Sequence, residues 1–186
     1  QKGYMIPPGL SFIAMSQKAW EAAEKSNLPK FYLNLKSYRK SLLANSNPYT
    51  PAVNLVFALD EALKMMREEG LDNIFHRHNK HKSAISNAVK ALNLKLFADE
   101  KNLSPSVTAI KTEGMDAEEF RKIIKNNFDI LLAGGQDHLK GKIFRVGHLG
   151  YVNDRDILTV VTAVSNTLLD LGKITSKQAG LSLIHI

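Results

Sequence analysis

The chain has 186 residues, 44% of them apolar and 23% charged, which is enough to bury a core and balanced as in a soluble globular protein. No apolar run approaches the ~20 residues of a membrane helix and no basic-then-apolar leader stands at the start, so the expected setting is cytoplasmic, with no membrane partner. Zero cysteines exclude disulfides, thiolate metal sites and a cysteine nucleophile; the net charge of +7 is spread over several helices beside acidic residues, which argues for a solvated surface and against a nucleic-acid face.

In chain order, the apolar run Leu10–Met15 predicts a buried strand, and Ser16 is placed to cap a helix over Gln17–Lys25. Leu28-Pro29 interrupts. Leu33–Leu43 predicts a helix, and the polar stretch Asn45 to Pro48 a loop. Thr50 can then cap, with Pro51 at the first helical position, and Leu55, Val56, Leu59, Leu63 and Met66 recur at helical spacing until Gly70. A longer helix follows, its stripe Ile74, Phe75, His78, Ile85, Val89 and Leu92 being long enough to connect two domains. Val107–Thr112 alternates as a strand does, and Asp116 with Glu119 forms a capping pair for a helix bearing Phe120, Ile123 and Ile124. Asp129–Ala133 and Lys142–Val146 predict an antiparallel hairpin. The last helix begins near Asp154, with Ile157, Val160, Val161, Val164, Leu168 and Leu171 on one face and Gly172 as its stop. The predicted class is an α/β protein with a small α+β lobe.

The opening segment QKGYMIPPGLSFIAMS places the amine of Lys2 on a rigid loop ahead of that first strand. A desolvated lysine loses its proton readily and forms a Schiff base with an aldehyde, whereas a solvated surface lysine does neither. Arg145 stands between Phe144 and Val146, where a buried charge is costly unless a carboxylate answers it; an edge-strand arginine facing water is the alternative. Thr50 offers a hydroxyl and free amides at a helix start, either as an anion site or as a plain cap. His76, His78 and His81 fall at i, i+2 and i+5, which does not set three ligands on one face, so no metal site is expected; His78 is placed on the buried stripe and the other two in solvent. The glycines at 134, 135, 141, 147 and 150 match no phosphate loop and read as turns.

Four segments in order extend the reading. QKGYMIPPG resembles the cofactor-lysine motif of class V aminotransferases of fold type I, where Gln-Lys precedes a small residue and a Pro-Gly turn. NPYTPAVNLVFALDEAL is similar to that family's segment that reaches across the dimer, GLDNIFHRHNKHKSAISNAVKALNLKLF to its interdomain helix, and KIFRVGHLGYV to its substrate-arginine strand. The resemblance runs from Gln1 to about Gly180 and is strongest to the alanine-glyoxylate and serine-glyoxylate type, including soluble hydrogenase small-subunit-like proteins. It implies pyridoxal 5′-phosphate carried on Lys2, which would then move the proton between the substrate α-carbon and the cofactor. Gln1 would lie near the phosphate, Arg145 would grip the substrate carboxylate, and Thr50 would reach the phosphate of the neighbouring subunit of a homodimer. Many members carry an aromatic hydroxyl three positions before that threonine. Here Asn47 occupies the position and Tyr49 stands beside Thr50, as a potential substitute.

The implied activity is transamination between a small amino acid, alanine or serine, and an oxo acid such as glyoxylate. The implied architecture has residues 1–72 closing a large cofactor-binding domain and residues 73–180 forming a connecting helix and a small C-terminal domain. Residues 181–186, LSLIHI, read as translated sequencing adaptor, and the start at Gln1 without methionine reads as a fragment, expected to be inactive alone. Three alternatives are a phosphoserine aminotransferase-like enzyme, a cysteine desulfurase-like enzyme, which the missing cysteine disfavours, and a non-enzymatic basic binding module.

Overall fold

The computed structural model describes residues 1–175, and the adaptor-like residues 181–186 lie outside the described residues. The chain divides into two compact units. One comprises Gln1 and residues 6–63, the other residues 2–5 together with everything from Lys64 onward.

The first unit is helical. Helix α1 (Gln17–Lys25) starts where expected, because the Ser16 side chain accepts a hydrogen bond from the Ala19 amide. Helix α2 (Leu35–Leu43) is capped by Asn34, and helix α3 runs over Val53–Glu69. Two expectations fail here. Leu10–Met15 forms no strand, and Phe12 and Ile13 are 59% and 65% exposed. An apolar run becomes a strand only if a neighbouring strand answers its amides and carbonyls, and no described strand lies beside it. The start of α3 is also later than expected: the Ala52 carbonyl accepts from the Val56 amide, so Thr50 and Pro51 precede the helix. A hydroxyl followed by proline permits a helix start without fixing which carbonyl closes the first turn. The Pro-Pro-Gly turn is tight as the sequence implies, since Gly9 has φ +137° and a Cβ there would come within 2.6 Å of Leu55 Cδ1.

In the second unit, helix α4 (Leu71–Ala91) leads into a four-stranded antiparallel sheet of β1 (Lys95–Leu96), β2 (Val107–Lys111), β3 (Ala133–Gly134) and β4 (Ile143–Gly147), in the order β1-β2-β4-β3. Helix α5 (Ala117–Phe128) is capped by Asp116, which accepts from the Glu118 and Glu119 amides. Helix α6 (Asp154–Asp170) opens with a full capping box between Asn153 and Asp156. Phe144 and Val146 of β4 and Ile110 of β2 join Phe120 and Ile124 of α5, Ile85 and Val89 of α4 and Leu168 of α6 in one core. The hairpin strand expected over 129–133 contracts to two residues, because Asp129 closes α5 in the left-handed conformation and Leu131 is 79% exposed. Among the described residues no helix is long and apolar enough to cross a membrane.

Candidate active site

Lys2 lies on an exposed turn closed by a 3.0 Å bond from the Met5 amide to the Lys2 carbonyl. No described residue forms an ion pair with its amine. The turn belongs to the second unit and touches the segment that follows β4. Gly150, at φ +73°, has room for a Cβ only at 3.2 Å from the Lys2 carbonyl oxygen and 3.2 Å from Met5 Cγ.

Arg145 occupies β4, an interior strand, opposite Ala109 of β2 and Ala133 of β3. It is therefore not an edge-strand residue. Its neighbours Phe144 and Val146 enter the helix-covered core, and alternation turns Arg145 to the other face of the sheet, where it is half-buried. Its Nε donates to the Gly134 carbonyl at 2.9 Å. That single bond fixes the plane of the guanidinium while no carboxylate among the described residues pairs with it. A half-buried, pre-oriented guanidinium with N–H groups to spare is the donor arrangement that holds a carboxylate by two parallel bonds.

Gln1, Tyr49 and Thr50 fall in the other unit. Gln1 and Thr50 are exposed, and Thr50 stands three residues ahead of α3. Tyr49 is engaged locally: its hydroxyl donates to the Phe31 carbonyl at 3.2 Å, and its ring lies 4.7 Å from that of Tyr32 and 6.0 Å from that of Tyr38.

The helix-α4 histidines are arranged differently from expectation. His81 is fully buried, its Nε2 2.9 Å from an Asp154 carboxylate oxygen, while His78 is half-buried and Phe75, placed on the buried stripe, is 59% exposed. Position 81 lies three residues after 78 and four before 85, so helical spacing alone could have found it. His148, which drew no attention in the sequence, is also fully buried against Thr108, Nε2 to Oγ1 2.9 Å. Burial, then the neighbouring His81 and His78, push its pKa down to about 4, so its ring is neutral at physiological pH. Arg77 was likewise missed. It bonds Glu69 and two carbonyls of the segment after β4.

No family model matches the chain. Individual relatives do. The chain is 56% identical over 172 residues to a soluble hydrogenase 42 kDa subunit of Anabaena cylindrica, covering 92% of this chain and 45% of that protein. To the serine-glyoxylate aminotransferase of Methylorubrum extorquens it is 35% identical over 189 residues, covering 98% and 47%. The structure of the ureidoglycine-glyoxylate aminotransferase of Bacillus subtilis superimposes with a TM-score of 0.90 at 28% identity, over 98% of this chain and 49% of that one. The chain thus spans about half the length of the relatives it matches. Over that span its homologues and structural neighbours are aminotransferases of the class V, alanine-glyoxylate and serine-glyoxylate type.

Proposed function

We propose that the protein carrying this chain is a pyridoxal-phosphate-dependent aminotransferase that moves an amino group from a small amino acid, alanine or serine, to an oxo acid such as glyoxylate. The observation that carries the reading is Arg145: a guanidinium on an interior strand, braced by the Gly134 carbonyl and paired with no described carboxylate. Within one unit the chain supplies a primary amine outside any ion pair and a half-buried guanidinium with N–H groups to spare; the amine is exposed here, so the reading requires the rest of the full-length protein to desolvate it. When bound, pyridoxal phosphate supplies an aldehyde for the amine and a ring that accepts the electrons released at the substrate α-carbon.

Arg145 binds the substrate carboxylate and so orients the α-carbon hydrogen. Lys2 would hold the cofactor through its amine and, with that amine free, would take the proton from the substrate α-carbon and return it to complete the transfer. By the resemblance, Gln1 would approach the phosphate, and Thr50, with Tyr49 beside it, would reach the phosphate of a neighbouring subunit in a cytoplasmic homodimer. Because the chain spans about half of its relatives, we take it to be inactive alone.

The test uses the full-length protein. Lys2→Ala should abolish the visible absorbance of lysine-bound cofactor and cut turnover roughly a hundredfold or more. Arg145→Ala should keep that band but raise the amino-donor KM about ten- to a hundredfold, as loss of a charge-assisted bond pair does. A band that persists in Lys2→Ala overturns the assignment.

A further inference from the structure

Arg77 is engaged on two sides. Its Nε and one terminal nitrogen donate to the two carboxylate oxygens of Glu69, at 2.6 and 2.9 Å. The other terminal nitrogen donates to the carbonyls of Gly150 and Val152, at 3.0 and 2.8 Å. The bond from Arg77 holds the Glu69 carboxyl below its ordinary range, and the same bond raises the guanidinium in return. A planar, doubly anchored guanidinium leaves little freedom to the carbonyls it grips. Those carbonyls sit five and seven residues beyond Arg145, and Gly150 lies directly against the Lys2–Met5 turn. That turn is itself strained: Met5 has φ +59°, a left-handed conformation that a residue with a side chain keeps only where surrounding structure enforces it.

We propose that Arg77, anchored by Glu69, is a positioning residue that fixes the Gly150–Val152 backbone and, through it, the Lys2–Met5 turn, so that the Lys2 amine is presented in one orientation. The functional part rests on the reading of Lys2 as the cofactor lysine. Arg77 itself touches neither substrate nor cofactor in this scheme.

The experiment is hydrogen exchange, read by mass spectrometry on the cofactor-free, full-length protein with Arg77→Ala, Arg77→Lys and Glu69→Gln. Arg77→Ala should accelerate exchange in the segments holding residues 2–5 and 148–152 roughly ten- to a hundredfold, with the cores of β4 and α6 unchanged. Arg77→Lys, a point charge without the fork, should recover only part of that protection. With cofactor bound, kcat should fall about tenfold or more while the amino-donor KM, set by Arg145, stays near its original value. Unchanged exchange at residues 2–5 overturns the proposal, and so does acceleration spread equally over β4 and α6, which would make Arg77 a general brace. If Arg77→Ala does not fold, Glu69→Gln keeps the shape, removes the anchor's charge and is judged on the same segments. The exchange result is independent of the cofactor: a band that survives Lys2→Ala refutes the catalytic reading while the clamp is decided by exchange alone.

Discussion

Every residue of the main hydrophobic cluster lies between Ala84 and Leu168, in the second unit, whereas the first unit contributes Ile6 and Ala62 as its buried apolar side chains. Helices α1 and α2 bury no residue at all, yet both are well formed, each started by a side-chain cap. Leu28, Phe31, Leu33, Leu42, Leu43 and Phe57 of the same unit stay between 71% and 82% exposed. The contrast separates two things that a sequence pattern tends to merge. Capping and helical propensity shape a segment locally, but only packing against another element makes that shape stable.

Truncating one large side chain in each unit should give the largest difference. Phe144→Ala empties a fully buried site in contact with the Phe120 ring, 5.2 Å between centroids, and should cost about 3–5 kcal/mol, whereas Phe57→Ala, 71% exposed, should stay within about 0.5 kcal/mol. Urea midpoints of the purified chain decide it, and equal shifts would mean that the first unit carries a core of its own.

Acid should act next, and on the second unit alone. Folding lowers the His148 pKa from 6.5 to about 4, so the unfolded chain binds a proton there first. The resulting stability, on the order of 3 kcal/mol, is fully present above about pH 6.5 and is lost as pH falls toward 4. Asp154, whose carboxylate is held low by bonds to Lys80 and His81, works in the same direction at lower pH. Denaturation curves at neutral and mildly acidic pH, compared between the native chain and His148→Gln, should show a smaller acid loss in the variant. An identical loss in both would remove His148 from the account.

The smallest effect concerns caps. Asp116→Ala, at a helix whose Phe120 and Ile124 enter the core, should lower stability by about 1 kcal/mol. Ser16→Ala, at a helix that buries nothing, should fray α1 in circular dichroism without moving the global midpoint.

The helix start at Gln17, the Asp116 cap, the strand over Val107–Lys111 and the last helix from Asp154 were all legible, because each depends on residues within one turn or one pleat. Arg145 was legible as an anomaly, a charge between two core residues. What answers it was not: the Gly134 carbonyl arrives on β3, eleven residues away. The two-residue strand β1 was missed because so short a pairing leaves no periodicity in the sequence.

The chain alone carried the order of the six helices and of strands β2 and β4, the lysine, arginine and threonine segments that resemble a known family, and the apolar faces of α5 and α6. That Leu10–Met15 pairs with no described strand, that α3 begins at Val53 and that His81 and His148 are fully buried emerges from the fold alone. The fold also decided that Arg77 joins Glu69 to the backbone at Gly150 and Val152. The physical reason is common to all of these. Caps and periodicity act over three or four residues of chain, whereas the burial of a polar ring, the completion of a strand or the grip of a guanidinium on a carbonyl depends on a distant partner, 73 residues away for Arg77 and Gly150.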